Sequence, residues 1–376
     1  MHVVPYPPNY LGGSEIFCKN LTLNLKKRKG INSEILTADI FKLNKKEEYL
    51  DGLIKVNYKK YYYNLWGKNP IVNVYSYLKK KSYMFDIIHV HSYIFLTSFQ
   101  ATLLKKFKKF PLVLHVHGGV QTNIPIKNNL VENLQLFFKN KIFDQTIGKF
   151  IFHNSDAIIS VSKSDLEFAK KKFKIDHDLM FYVPNAIDVN KFKRENKLER
   201  KYLTFIGRLS FIKGFDIFAK LIIKLYKKDK NLEFLVVGTG PLQHLVRDLQ
   251  KKVPLRYYDS ISYNKMKDVY NSTILLFNTS RFEGVPTTIL ESLSCETPVV
   301  SVNVGGISEV IENRINGLLT DNVLSEHTIN NILSLIKDEE KRNQYGKNGY
   351  FLIKKRFSWE KITDDIEKIY LKVLNL

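Results

Sequence analysis

The stretch Ser272-Thr-Ile-Leu-Leu-Phe-Asn-Thr-Ser-Arg-Phe-Glu283-Gly-Val-Pro286-Thr-Thr-Ile-Leu-Glu291 runs from a short apolar segment through a polar loop into an amphipathic helix. A brief apolar run bounded by turn residues reads as a buried strand of a parallel sheet. Pro286 suits the first helical position, where its missing N–H removes no bond. The loop between them sits at the C-terminal end of the strand, where open α/β sheets bind their ligands.

The same strand–loop–helix rhythm extends in both directions. Around this unit, segments 202–206, 232–237, 255–258, 298–302 and 317–319 read as strands, and 215–227, 241–251, 263–270, 286–294, 307–313 and 326–337 as helices. An earlier set repeats the pattern, with strands at 3–5, 33–36, 52–56, 86–90, 112–116 and 157–161 and helices at 14–29, 71–81, 95–108 and 163–173. Strands alternating with helices predict parallel sheets covered on both faces. Val183-Pro184-Asn185-Ala186 and the charged segment 190–201 separate the two sets like a linker. The expected architecture is α/β with two doubly wound, Rossmann-like domains, 1–184 and 185–356, the first completed by the terminal segment 357–376, in which Trp359–Leu374 reads as an amphipathic helix. Only His2–Tyr6 precede the turn at Pro7-Pro8, so the first strand is short or the start codon lies upstream.

Composition agrees. At 376 residues the chain exceeds what one core comfortably fills. Its 44% hydrophobic and 26% charged residues exclude a disordered or collagen-like chain. The two cysteines, Cys18 and Cys295, form no C-x-x-C pair, which argues against a disulfide framework and for a reducing compartment. Neither a signal-peptide pattern nor an apolar run of membrane-spanning length is present in this sequence, so a cytoplasmic protein is expected. The 59 Lys+Arg against 37 Asp+Glu give +22, and residues 1–130 alone carry +13. Such a charge suits nucleic acid, an anionic membrane face or an anionic substrate; the plainer reading is a lysine-rich chain with solvated faces.

Five segments carry chemistry. Gly12-Gly13-Ser14-Glu15 follows the first strand and opens a helix that Ser14 can cap, so its N–H groups and helix dipole suit an anion, or make an ordinary turn. His115 and His117 share a side of their strand, and His89 and His91 repeat the spacing. They are candidates to donate to a substrate oxygen, to ligate zinc, or to be satisfied core histidines. Arg208 and Lys213 bracket the loop after Gly207, two cations beside a helix N-terminus as a diphosphate requires. Gly238-Thr239-Gly240-Pro241 begins like a dinucleotide fingerprint, but Gln243 replaces the third glycine, so no nicotinamide site is supported. In the opening stretch, Glu283 and Glu291 flank the N–H groups of Gly284, Val285, Thr287 and Thr288. Asp176-His177-Asp178 matches a D-x-D metal-binding string but reads better as a solvated turn, and the aromatic, lysine-bearing segment 58–68 reads as a membrane-interface or edge loop.

Taken in order, Gly12-Gly13, His117-Gly118, Val183-Pro184-Asn185-Ala186, Gly207-Arg208, Lys213-Gly214, Gly238-Thr239-Gly240-Pro241 and the pair Glu283 and Glu291 resemble a retaining glycosyltransferase of family four. The resemblance spans nearly the whole chain. It implies the GT-B architecture, two Rossmann-like domains facing a cleft with a C-terminal helix crossing back to the first. It implies that Arg208 and Lys213 hold the diphosphate of a nucleotide sugar, that Glu291 accepts the ribose hydroxyls, and that Glu283, Gly284 and Val285 grip the donor sugar. His117 is implied near the sugar, Gly13 beside the phosphate, and Gly12, Gly207, Gly238 and Gly240 in the donor-binding loops. No metal or other cofactor is expected. Glu296 stands where the family usually has glycine.

The expected function is sugar transfer from a nucleotide-diphosphate donor to a glycan or lipid-linked acceptor, at the inner face of the cell membrane. An anionic membrane surface is a candidate partner, the helix 103–109 with its four lysines being one contact. A specific nucleic-acid partner is not expected. The alternative is a catalytically inactive GT-B protein that binds glycan or membrane.

Overall fold

The structure, a computed structural model, describes residues 1–8, 10, 13–65, 69–120, 130–175, 178, 180–195 and 197–375. The chain divides into two compact units, Met1–Pro184 with Trp359–Leu376, and Asn185–Ser358.

The first unit holds strands β1 (His2–Val3), β2 (Glu34–Ala38), β3 (Glu47–Leu50), β4 (Ile54–Lys59), β5 (Tyr61–Leu65), β6 (Asn69–Val72), β7 (Ile88–His91), β8 (Leu112–Val116), β9 (Ala157–Ser160) and β10 (Met180–Tyr182). Eight form one sheet in the order β10-β9-β8-β7-β1-β2-β4-β3, parallel except for β3 on β4, while β5 and β6 pair as a separate antiparallel ribbon. Its helices are α1 (Gly13–Lys29), α2 (Tyr75–Lys81), α3 (Leu96–Lys105), α4 (Leu130–Phe138), α5 (Lys149–His153) and α6 (Lys163–Phe173), with a π-helical run Lys139–Gly148 between α4 and α5. All five residues of β8 are buried, as a strand covered on both faces requires. Ser162 caps α6 by accepting from the Asp165 N–H, and Lys174 closes it in the left-handed conformation.

The second unit holds β11 (Tyr202–Ile206), β12 (Glu233–Val237), β13 (Leu255–Tyr258), β14 (Thr273–Asn278), β15 (Val299–Val302) and β16 (Gly317–Thr320) in an all-parallel sheet, β13-β12-β11-β14-β15-β16. Helices α7 (Phe215–Lys228), α8 (His244–Gln250), α9 (Met266–Asn271), α10 (Thr287–Ser294), α11 (Glu326–Lys337) and α12 (Glu339–Arg356) accompany it. Two apolar layers, one around Phe218 and Phe234 and one around Ile289 and Leu293, cover its faces.

The last helix, α13 (Trp359–Leu374), returns to the first unit. It buries Trp359, Ile362, Ile366 and Ile369, and Lys29 of α1 pairs with its Asp364 and Glu367 at 2.8 Å each. The return begins two residues later than position 357. Phe357 is fully buried in the second unit's core, and its carbonyl accepts from the Ile187 N–H at 2.7 Å.

Several boundaries differ from the sequence reading. The expected helix 71–81 begins only at Tyr75, because Asn69–Val72 pairs as a strand. The expected helix through 103–109 ends at Lys105, so its later lysines lie on a turn. Ile307–Glu309 forms one 3₁₀ turn instead of a helix over 307–313. No helix among the described residues is long and apolar enough to cross a membrane.

Candidate active site

The second unit assembles most of the expected site from two loops and one helix. After β11, the Gly207 N–H donates to the Val237 carbonyl at 3.0 Å and the Leu209 N–H to the Thr239 carbonyl at 2.8 Å. The Gly238 N–H donates to the Tyr258 carbonyl at 2.9 Å. These loop N–H groups therefore tie the strand ends together. Arg208 projects from this loop and is exposed. Gly214 closes the turn at φ +66°, against the carbonyl of Thr279, where a Cβ would lie 1.8 Å from the oxygen.

That close approach brings the β11 and β14 loops together. Lys213 Nζ meets Glu283 Oε1 at 2.5 Å, and Ser280 Oγ donates to the same oxygen at 2.8 Å. Glu283 is 9% exposed, so the pair places a nearly buried carboxylate beside a half-exposed ammonium. Gly305, at φ +55°, packs under Glu283, and a Cβ there would lie 1.8 Å from its carbonyl oxygen.

Helix α10 starts one residue later than expected. Pro286 is its N-cap with an extended backbone, and Thr287 is the first helical residue. The N–H groups of Gly284, Val285, Thr287 and Thr288 donate to no acceptor among the described residues. Together with the helix dipole they form an anion-attracting rim. Asn185 Nδ2 donates to the Val285 carbonyl at 2.8 Å and holds this rim in place.

Glu291 lies deeper along α10 and is 6% exposed. Burial pushes its carboxyl up to about 7, although the Tyr270 hydroxyl, donating to Oε2 at 2.5 Å, and the nearby Lys191 charge favour the ionised form. Its second oxygen has no hydrogen-bond partner among the described residues.

In the first unit, His115 on β8 and His117 just past its end stack on one side of the sheet, as expected, and His117 is half-buried. Gly13 is the first residue of α1, exposed, with nothing within 4 Å of where its Cβ would be. Ser14 lies inside α1 and donates to Glu15 Oε2 at 2.8 Å, so it is no cap. Gly12, Asp176 and His177 lie outside the described residues, as do Trp66 to Lys68.

Four supporting residues escaped the sequence reading. Arg281 clamps the two loops, with two bonds of 2.7 Å to Asp216 and its guanidinium 3.6 Å from the Phe211 ring centroid. Ser280, Tyr270 and Asn185 each hold an expected site element. Arg281, Tyr270 and Asn185 bond partners 65, 21 and 100 residues away, whereas Ser280 bonds Asn278 and Glu283 within its own loop, a closeness that the clustering of Ser280, Arg281 and Glu283 in the sequence hints at.

Comparison with known proteins decides the family. The profile for glycosyl transferases group 1 matches residues 186–369 and that for glycosyltransferase family 4 matches residues 11–191. The chain belongs to the group 1 glycosyltransferases. This glycosyltransferase is 29% identical to an uncharacterized glycosyltransferase of Methanocaldococcus jannaschii over 98% of its own length and 97% of the relative's. A second glycosyltransferase of that organism, also uncharacterized, is 25% identical over 97% and 96% of the two chains. Its fold matches sucrose-phosphate synthase from Thermosynechococcus elongatus with TM-score 0.80 at 16% identity, over 100% and 98% of the chains. Anabaena HepE, solved with UDP, matches at TM-score 0.73 and 17% identity, over 98% of each chain. The glycosyltransferase therefore has the GT-B fold of two Rossmann-like domains.

Proposed function

We propose that the protein transfers a hexose from a nucleoside-diphosphate sugar, UDP being the favoured nucleotide, to a glycan or lipid-linked acceptor with retention of anomeric configuration. The observation that carries this reading is the Lys213–Glu283 pair set against the unpaired N–H rim of α10. A diphosphate at this rim meets the α10 dipole and draws on Arg208 and Lys213. These fixed positive groups stabilise the negative charge that grows on the diphosphate as its bond to the anomeric carbon breaks. The acceptor oxygen bonds that carbon, and its proton leaves with the diphosphate. Glu283 receives sugar hydroxyls once the diphosphate shares Lys213, and ionised Glu291 accepts the ribose hydroxyls. No metal enters this account, because the cations and the helix terminus meet the charge. HepE was solved with UDP-glucose as well as UDP, which favours a UDP-sugar. Isothermal titration with UDP, GDP and ADP tests the donor reading: one should bind with micromolar affinity, and binding of none would overturn it.

The acceptor side is proposed to dock on an anionic membrane. Lys108 Nζ donates to the Lys79 carbonyl at 2.6 Å, which brings the ends of α2 and α3 together. There Tyr83 is 79% and Phe107 74% exposed, among exposed Lys79, Lys80, Lys81, Lys106 and Lys109. Aromatic side chains ringed by lysines suit a negatively charged lipid interface.

A further inference from the structure

One face of the first unit's sheet carries a column of histidines. His2 lies on β1, His89 and His91 on β7, His115 on β8, and His117 just past its end. The parallel register sets His2 beside His89 and His91 beside His115. Neighbouring rings of β7 and β8 lie within 20° of parallel, with centroids 4.3–5.6 Å apart. The first four are at most 2% exposed. Phe17 of α1 packs edge-on against His115 and His117, and Tyr370 of α13 bonds His89 Nδ1 at 2.6 Å.

The arrangement does not suit a metal. His89, His91 and His115 bring nitrogens within 4.8 Å of one another, and His2, Cys18 and His91 bring their ligand atoms equally close. A tetrahedral ion needs in-plane lone pairs that converge. Near-parallel rings direct theirs side by side, and His91 already uses both nitrogens in hydrogen bonds.

Those bonds run in series. His2 Nδ1 lies 3.1 Å from His91 Nε2, and His91 Nδ1 lies 2.9 Å from His117 Nε2. Burial holds all three rings well below the usual histidine range, so each is neutral and carries one N–H. Two arrangements then satisfy both bonds. Either all three rings carry the proton on Nδ1, with donation running from His2 to His117, or all three carry it on Nε2, with donation running back. In the first, the free Nδ1 of His117 is a donor; in the second, it is an acceptor.

We propose that His2 and His91 are positioning residues that fix the tautomer of His117, so that a ring buried at the first strand decides whether the outermost nitrogen donates or accepts. The consequence for transfer rests on the reading that His117 meets the donor sugar; the coupling itself does not. A histidine held in the wrong tautomer presents the wrong group to its ligand even with its position unchanged.

The test is nitrogen-15 NMR of histidine-labelled protein without nucleotide, on the wild type and on His2→Phe, which keeps an aromatic ring. His2, His91 and His117 should report the same tautomer in the wild type. In His2→Phe the tautomer population of His117 should change, although His2 does not touch it. Mixed tautomers along the wild-type series, or an unchanged His117 in a folded His2→Phe protein, would overturn the proposal. Should His2→Phe fail to fold, the wild-type spectrum decides alone. In transfer assays the variant should lose about tenfold in kcat with less than about twofold change in donor KM. Coupled tautomers with unchanged turnover would support the relay and overturn only the contact of His117 with the donor.

Discussion

Lys213 Nζ and Glu283 Oε1 meet at 2.5 Å, joining the loop after β11 to the loop after β14. The contact neutralises a carboxylate that is nearly buried, and it holds the lysine where a diphosphate would need it. A partly buried pair couples more strongly than a surface one, because removing either partner strands the other. A double-mutant cycle with Lys213→Met and Glu283→Gln, read by urea denaturation, should give a coupling energy of about 1–3 kcal/mol. A value below about 0.3 kcal/mol would mean the two groups act independently.

Glu291 sets function against stability. Its carboxyl ionises near 4.5 in the unfolded chain and at about 7 in the native protein. The native state therefore binds the extra proton between those values, so stability falls as pH rises through this window and is level above it. Glu291→Gln should gain up to about 3 kcal/mol over the wild type at pH 8 and almost nothing at pH 4. The same variant should bind nucleotide poorly, and wild-type donor KM should drop as pH rises through 7. A stability difference that ignores pH would contradict this assignment.

Glycines around Glu283 should respond unequally to a methyl group. Gly305→Ala drives a Cβ to 1.8 Å from the Glu283 carbonyl at a left-handed φ, so the loop must shift. About 2 kcal/mol or more of stability and most of the activity should be lost. Gly284 has nothing within 4 Å of its Cβ position, and Gly284→Ala should change stability by less than about 1 kcal/mol. Thermal melts of the two variants make the comparison.

For the membrane reading, co-sedimentation with liposomes should rise with anionic lipid fraction. The Tyr83→Ser, Phe107→Ser double variant should bind several-fold less with unchanged turnover on a soluble acceptor. Binding indifferent to lipid charge would return the +22 of the chain to lysine-rich composition.

Much of this was legible in the sequence where one short segment determines one element. Tyr202–Ile206, Leu112–Val116 and α13 have the expected bounds, because apolar period and turn residues are local signals. The strands Glu47–Leu50 and Tyr61–Leu65 are not legible there, because an edge strand and an exposed ribbon carry no buried, apolar alternation. The helical residues 130–153 are hard to read from sequence because part of the run is π-helical, which breaks the 3.6-residue period. In the site, Glu283 and Lys213 can be named from loop position, and Glu291 from its place on the helix that follows. That Lys213 would pair with Glu283, that Tyr270 would hold Glu291 and that Arg281 would clamp Asp216 depends on pairings across 70, 21 and 65 residues. Local pattern carries no information about such contacts.

The central claim is that the loops after β11 and β14, with α10, bind and activate a nucleotide sugar. Its most direct test is release of nucleoside diphosphate from a panel of UDP-, GDP- and ADP-sugars by the wild type and Glu291→Ala. The account predicts turnover by the wild type on one nucleotide class and a loss of about a hundredfold or more in kcat/KM for the variant. Equal turnover by the two proteins would contradict it.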